Sequence, residues 1–176
     1  MRIVRYDEHR PSKEQRRAFD SGVPSLDRWL ATQARQSLAS RDAVTHLLVD
    51  DRNRSIGGYY SLAAGQVARA SAVASMARSA PEPIPAVRIG RFAIDHRLQG
   101  QGWGAELLRD AILRSISAGR VIGARVLLVD AISPTALAFS ERFGFEPSPI
   151  HPLQAMLDLR IAAASAGLDP EHGAAG

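Results

Sequence analysis

The chain has 176 residues, which is enough for one domain and hardly two. Apolar residues make up 45% and charged residues 23%, a balance that is typical of a globular chain and argues against disorder. The absence of cysteine excludes disulfide scaffolds, cysteine–zinc sites and thiolate nucleophiles. No apolar run approaches the roughly 20 residues of a membrane span, and charge follows Met1 directly. We therefore expect a soluble cytoplasmic protein that makes no membrane contact.

Arginine carries nearly all of the positive charge. The 22 basic residues outnumber the 18 acidic ones to give a net charge of +4, and Lys13 is the only lysine. Because a guanidinium stays ionised and binds phosphate in a bidentate manner, this bias suits nucleic acids or phosphorylated cofactors. A coding bias in a GC-rich genome explains the same composition, and the scattered arginines favour that second explanation.

Hydrophobic periodicity divides the chain into alternating strands and helices. In chain order it predicts a strand at 2–6, a helix from an N-cap at Ser25 to about 40, strands at 44–49 and 56–62, a helix at 69–78 and a strand at 86–95. A helix at 103–117, a buried strand at 124–131, a helix capped by Ser133 that runs to about 142, a strand at 154–160 and a flexible tail at 162–176 follow. Gly57 and Gly58 predict a bulge or a close backbone approach in the third strand. The order predicts one α/β domain with a mixed sheet.

The segment Gln99-Gly100-Gln101-Gly102-Trp103-Gly104 joins the strand at 86–95 to the helix at 103–117. Its glycines permit a tight turn and leave the first amides of the helix unshielded, which is the arrangement of a phosphate site. A tight turn that merely needs positive φ explains the same residues equally well. No Lys-Ser/Thr follows, so this is not a P-loop, and the segment lies too late in the chain for a Rossmann dinucleotide site.

Further motifs accompany this loop. A strand at 125–130, a helix at 134–142 and the turn Phe143-Gly144-Phe145-Glu146 follow it. The series resembles the GNAT (general-control-type N-acetyltransferase) superfamily, in which a Gln-x-x-Gly-x-Gly loop binds pyrophosphate. The resemblance narrows to the acetyltransferase toxins of bacterial toxin–antitoxin pairs on the segments FDSG at 19–22, LDRWL at 26–30, GYYSLA at 58–63, IGRFAI at 89–94 and FEPSP at 145–149. It covers roughly residues 15–160, nearly the whole domain.

The resemblance implies a single GNAT domain over residues 1–161, with a mixed, mostly antiparallel sheet and a central, splayed pair of parallel strands between helices. It implies acetyl-CoA as co-substrate and no metal; the dispersed histidines agree with the second point. Backbone groups of one strand would pair with the pantetheine arm, and the loop amides would hold the pyrophosphate. The implied cofactor-binding residues are Phe92, Ala93, Ile94, Gln99, Gly100, Gln101, Gly102, Trp103, Gly104, Ala105 and Phe139.

The chain departs from this branch in the closing helix. Toxins of the branch usually read Ala-Phe-Tyr-Glu there, and the tyrosine is the general acid, whereas this chain reads Ala138-Phe139-Ser140-Glu141. The resemblance therefore assigns the catalytic position to Ser140. Because an aliphatic hydroxyl is a far weaker acid than a phenol of pKa ~10, we expect the reaction to be slowed roughly 100- to 10,000-fold. Tyr59 and Tyr60 are interpreted as packing residues.

The resemblance implies a toxin that acetylates the α-amino group of aminoacyl-tRNA and inhibits translation. It further implies a homodimer, a ribbon-helix-helix antitoxin, and DNA contact only through that antitoxin. Two alternatives remain: the same fold acting on a small amine or a protein N-terminus, and a catalytically weak acetyl-CoA-binding co-repressor. The candidates for RNA contact are Arg35, Arg78, Arg88 and Arg91.

Overall fold

The computed structural model describes residues 1–168. The chain forms two compact units, of which the first comprises residues 1–64 and 88–111, and the second comprises residues 65–87 and those from 112 onward. Over the described residues, no helix combines the length and the apolar character that a membrane crossing requires. Each unit is assembled from separate stretches of sequence, so neither corresponds to a continuous segment.

The strands are β1 Arg2–Arg5, β2 Val44–Val49, β3 Ile56–Val67, β4 Ile84–Ile94, β5 Val126–Asp130, β6 Glu146–Pro147 and β7 Gln154–Asp158. Their hydrogen-bonded order is β1-β2-β3-β4-β5-β7-β6. The helices are α1 Tyr6–His9, α2 Lys13–Arg17, α3 Pro24–Thr32, α4 Ala34–Ala39, α5 Ala74–Ala77, α6 Trp103–Ile122, α7 Pro134–Glu141 and α8 Leu159–Ser165. The neighbours β4 and β5 are joined by α6 and form the parallel pair, which confirms the predicted mixed, mostly antiparallel sheet.

In the first unit, β1, β2 and β3 form an antiparallel ladder in which Arg5 pairs with His46 and Leu47 pairs with Tyr59. The register shifts after Leu48, which pairs with Gly58, while Val49 pairs with Ile56. Gly57 is thus the extra residue of a bulge, and a Cβ on it would lie 2.5 Å from the Leu98 side chain. The bulge and the close approach predicted at these glycines are both confirmed.

The helix predicted from 26 to 40 is two helices. The first begins at Pro24 with Val23 as its N-cap, so the predicted cap at Ser25 is wrong, because proline fits the first helical position. The break falls at Gln33, whose φ of −112° departs from helical geometry. Two short helices, α1 and α2, also occupy the polar stretch for which no element was predicted.

In the second unit, β7 pairs antiparallel with both β5 and β6. The helix predicted at 69–78 is instead a 3₁₀ turn at Arg69–Ser71 followed by α5, with Ala72 and Val73 extended between them. At the end of the described chain, α8 continues to Ser165 and buries Ala163, where a tail from 162 was expected. Residues 169–176 of that predicted tail lie outside the described residues.

Candidate active site

The glycine loop has the backbone geometry that its sequence predicts. Gly100 has a φ of +75° and Gly102 a φ of +88°, a left-handed region that side chains with a Cβ rarely adopt. A Cβ added at either glycine would meet no atom within 4 Å. The loop is therefore open to its surroundings, and a packed turn does not account for it.

Some of the backbone amides at the start of α6 donate hydrogen bonds within the protein, and others do not. Those of Ala105 and Glu106 donate to the Gly102 carbonyl at 3.1 and 3.2 Å. Within residues 1–168, the amides of Trp103 and Gly104 donate to no protein acceptor. Two amides without a protein acceptor, at the positive end of a 20-residue helix, can bind an anion. The Ala105 amide already donates to the Gly102 carbonyl, so it is the least available of the amides predicted to bind the pyrophosphate.

A buried carboxylate holds the segment that leads into this loop. Asp95 is fully buried and accepts from the Arg97 amide at 3.1 Å, from Nε and Nη2 of the Arg97 side chain at 2.7 and 2.8 Å, and from the Asp20 amide at 3.3 Å. Burial acts to raise the pKa of Asp95, but these hydrogen bonds outweigh it, so the pKa lies below its usual value. The ionised carboxylate thus ties the end of β4 to the turn at Asp20.

The side chain of Gln99 also connects the loop to the turn at Asp20 and to the end of β4; we call this group of polar contacts, with those of Asp95, the polar layer behind the loop. Its Nε2 donates to the Ser21 and Ile94 carbonyls, each at 3.0 Å. On the other side, the Ser21 hydroxyl donates to Asp27 Oδ1 at 2.6 Å and accepts from the Val23 amide at 3.2 Å. The glutamine predicted to bind the cofactor therefore uses its amide nitrogen to hold the loop in place.

The residues predicted to bind pantetheine, at 92–94, are the last three of β4. Ala93 is buried, whereas Phe92 and Ile94 are half-buried. The Ala93 carbonyl would lie 3.0 Å from a Cβ on Gly58, so that glycine permits a close backbone approach.

The two tyrosines of β3 are fully buried packing residues. The Tyr59 hydroxyl donates to the Leu26 carbonyl at 2.7 Å, and its ring stacks on Trp29 at a centroid distance of 5.7 Å. The Tyr60 hydroxyl donates to Asp110 at 2.5 Å, and its ring stacks on His46. Burial raises the pKa of Tyr59, so it is a poor proton donor.

Ser140 lies in α7 of the second unit. The N-terminus of this helix is capped as predicted, with the Ser133 side chain accepting from the Ala136 amide at 3.1 Å. Ser140 is 4% exposed, and its hydroxyl donates to the Leu137 carbonyl at 2.7 Å. The neighbouring Phe139 packs against Phe143 at a centroid distance of 5.2 Å. The one hydroxyl proton of Ser140 is therefore engaged in a hydrogen bond within its own helix.

Comparison with known proteins places the chain in a family. No family model matches. A tRNA-acetylating toxin of Mycobacterium tuberculosis is 41% identical over 151 residues, which cover 85% of this chain and 89% of that protein. The chain belongs to the family of tRNA-acetylating toxins. The chain is thus an acetyltransferase whose co-substrate is acetyl-CoA.

Solved structures of acetyltransferase toxins share the fold. AtaT complexed with acetyl-methionyl-tRNAfMet has a TM-score of 0.84 at 27% identity, with 94% of this chain and 98% of that one covered. A mutant of AtaT bound to acetyl-CoA and to the C-terminus of the antitoxin AtaR has a TM-score of 0.75 at 25% identity, with coverage of 94% and 97%.

The arginines predicted to contact RNA are exposed, but they are divided between the units. Arg35, Arg88 and Arg91 lie in the first unit and Arg78 in the second. Arg91 is held in place, with its guanidinium 5.5 Å from the Trp29 ring centroid and Nη1 donating to the Gly90 carbonyl at 2.6 Å. Over the described part of the chain, no three histidine or acidic side chains are grouped so that they could hold a metal ion.

Sequence reasoning missed the polar layer behind the loop. Asp20, Asp95 and Arg97 were not candidates, because they are separated by up to 77 residues, and the motif FDSG at 19–22 gave Asp20 no role. The only sequence signal was the buried-strand context of Asp95, which follows Ile94 directly at the end of β4.

Proposed function

We propose that this protein transfers the acetyl group of acetyl-CoA to the α-amino group of an aminoacyl-tRNA and thereby inhibits translation. The observation that carries the proposal is the 41% identity with a tRNA-acetylating toxin over most of both chains. The open amides at the start of α6 support it, because they suit the diphosphate of the coenzyme. An acetylated amine is no longer a nucleophile, so the modified aminoacyl group cannot attack a peptidyl ester.

The cofactor contacts of the proposal are mainly backbone contacts. Gly100 and the amides from Gln101 to Gly104 hold the pyrophosphate, and the Ala105 amide contributes less because it also donates to the Gly102 carbonyl. The backbone of Phe92, Ala93 and Ile94 pairs with the pantetheine arm. Gln99 and Asp95 keep the loop in its binding geometry from behind. Because main-chain groups make these contacts, Trp103 is tolerated within the loop.

The chemistry needs no strong base. The α-amino group of an aminoacyl ester titrates near or below ~7.7, so much of it is neutral at physiological pH. The amine nitrogen forms a bond to the thioester carbonyl carbon, an amide near Ala93 stabilises the oxyanion, and the C–S bond breaks. The amine proton passes to solvent, and the sulfur leaves as a thiolate of pKa about 8.5.

Ser140 occupies the general-acid position of this reaction. Its hydroxyl is bonded to the Leu137 carbonyl, so proton donation to the leaving sulfur requires that this bond be given up. We therefore propose that the protein transfers the acetyl group slowly, at a rate roughly 100- to 10,000-fold below that of a chain with an effective general acid. The same observation favours a second candidate function, a catalytically weak acetyl-CoA-binding co-repressor that acts through its antitoxin.

The remaining parts of the proposal concern domain extent, partners and location. Residues 1–161 form the acetyltransferase domain, and the protein is a homodimer. A ribbon-helix-helix antitoxin binds it and supplies all DNA contact. Among the solved relatives, AtaT is bound to the C-terminus of its antitoxin, which supports a partner of this kind. Because charged tRNA is the substrate, the protein acts in the cytoplasm.

The test incubates the purified protein with labelled acetyl-CoA and a pool of charged tRNAs, alongside Ser140→Tyr. Label on the aminoacyl group from both proteins supports the proposal, and label from the variant alone means that the chain with Ser140 is silenced as an enzyme. No label on tRNA from either protein, with label on polyamines or peptide N-termini, contradicts the proposal in favour of a small-amine or N-terminal acetyltransferase.

A further inference from the structure

The second unit contains a groove at the C-terminal end of α6. It has a volume of about 400 Å³, and its floor includes Ile116, Leu159 and Ala163. Arg120, Arg125 and Arg160 also line it. We call this feature the α6–α8 groove. None of its arginines is among the candidates that the sequence predicted for RNA contact.

The groove has an excess of positive charge. No acidic side chain within residues 1–168 lines it. Arg160 is paired, since its Nε and Nη2 donate to the Asp158 carboxylate at 3.0 and 2.6 Å. Arg120 donates only to the neutral Leu168 carbonyl, and the Arg125 side chain makes no hydrogen bond or ion pair with a described residue. Two positive charges in the groove therefore have no carboxylate partner among residues 1–168.

The backbone beside the groove is closely packed. A Cβ on Gly119 would lie 2.5 Å from the Ala124 carbonyl oxygen, so the end of α6 contacts the following turn directly. Gly123 makes that turn with a φ of +76°. The Leu159 amide then donates to the Arg125 carbonyl at 2.9 Å, which fixes the start of α8 beside Arg125. The arginine backbones are thus held at set positions before any ligand binds.

We propose that the α6–α8 groove binds the phosphate backbone of tRNA. The inference rests on the proposed function, because it assigns a second contact for the same substrate. Guanidinium groups bind phosphates in a bidentate manner, and phosphate contacts supply most of the sequence-independent affinity for nucleic acids. The floor residues are themselves buried, with exposures of 3% for Ile116, 4% for Leu159 and 3% for Ala163. A side chain resting on these three residues would thus gain little apolar burial, whereas a phosphate would contact two arginines that have no carboxylate partner among residues 1–168.

The experiment measures binding of uncharged tRNA at several salt concentrations. The variants are Arg125→Gln, Arg120→Gln and the double variant, and the matched control is Arg52→Gln in the exposed β2–β3 turn of the first unit. Arg160 is left intact, because its loss would strip the buried Asp158 of its partner. We expect each single groove variant to weaken binding about 10-fold and to reduce the slope of log affinity against log salt by about 1. The control should bind tRNA like the natural chain.

Kinetics and coenzyme binding complete the test. We expect the KM for charged tRNA to rise in Arg125→Gln while kcat and the affinity for acetyl-CoA stay unchanged, because a remote phosphate contact contributes equally to ground and transition states. Arg125→Lys, which keeps the charge, should recover part of the affinity.

The outcomes separate this inference from the proposed function. If charged tRNA is acetylated while both single variants bind tRNA like the natural chain, the groove inference is wrong and the function stands. If tRNA is not acetylated but its affinity still falls in the groove variants, the groove stands and the function fails. Unchanged tRNA affinity together with a loss of self-association in the double variant would assign the groove to a second copy of the chain.

Discussion

The glycine loop of the first unit and helix α7 of the second differ in which chemical groups they present: main-chain amides in the loop, and the side chain of Ser140 in the helix. The loop presents main-chain amides, and the side chains of Asp95 and Gln99 hold it from behind. Helix α7 depends on the side chain at one position, where Ser140 bonds to its own helix. On the proposed function, coenzyme binding depends on main-chain groups and on the residues that hold them, while proton donation depends on a single side chain.

The largest expected effect is a gain of function at Ser140. Replacement by tyrosine supplies a phenol, and we expect kcat for acetyl transfer to charged tRNA to rise by about 100- to 10,000-fold. Rapid-mixing measurements with labelled acetyl-CoA determine the change. Ser140→Phe is the matched control, since it adds the ring without the proton donor. Equal rates for the phenylalanine and tyrosine variants would show that ring packing, and not proton donation, sets the rate.

The next effect concerns the layer behind the loop. Asp95→Ala removes a buried carboxylate that accepts four hydrogen bonds, so we expect the free energy of unfolding to fall by about 2–3 kcal/mol. Acetyl-CoA affinity, measured by calorimetry on the folded fraction, should fall as well, because the loop loses its support. Ser133→Ala, which weakens the cap of α7, should leave that affinity unchanged. If Asp95→Ala binds acetyl-CoA as tightly as the unmodified protein, Asp95 does not position the loop.

The lowered pKa of Asp95 predicts how this stability depends on pH. Because the folded pKa lies below the unfolded value of about 3.9, the carboxylate stabilises the protein fully above that value. The contribution is lost as pH falls through the folded pKa. Denaturant unfolding of the natural chain and of Asp95→Asn should therefore differ by a constant free energy from pH 5 to 7, and the difference should shrink below about pH 4. A difference that grows with acidity would contradict this assignment.

A smaller effect is expected at Gly102. Valine there adds a branched side chain at a φ of +88°, and the backbone strain alone amounts to about 1–2 kcal/mol. Since nothing lies within 4 Å of the new Cβ, the protein should still fold while the loop amides are displaced or shielded. We expect acetyl-CoA to bind about 10-fold more weakly in an isothermal titration. Gly123→Val, at a φ of +76° with the same open surroundings but far along the chain from the loop, controls for strain.

The smallest effect is expected at the cap of α7. Ser133→Ala removes the acceptor of the Ala136 amide, and we expect a loss of about 1 kcal/mol in unfolding free energy. Chemical denaturation measures it. Ser133→Asp restores an acceptor and should recover most of the loss, and a failure to do so would show that the cap does not stabilise the helix.

The sequence alone determined the features that depend on a few neighbouring residues. The freedom of glycine to adopt positive φ predicted the loop at Gly100 and Gly102, and a serine before a proline predicted the start of α7. A largely apolar segment followed by a polar turn predicted β2 over its whole length. The resemblance to acetyltransferase toxins added the family, because its motifs are also local. The roles it assigns to particular residues, Ser140 among them, stay predictions.

Only the tertiary structure decided the features that join distant parts of the chain. Asp20, Asp95 and Arg97 meet because β4 ends beside the turn before α3, and Arg120, Arg125 and Arg160 share one groove because α8 starts beside Arg125. The break at Gln33 likewise follows no local breaker residue. Local propensity reflects interactions within a few residues, whereas these arrangements depend on packing between segments that lie far apart in the chain.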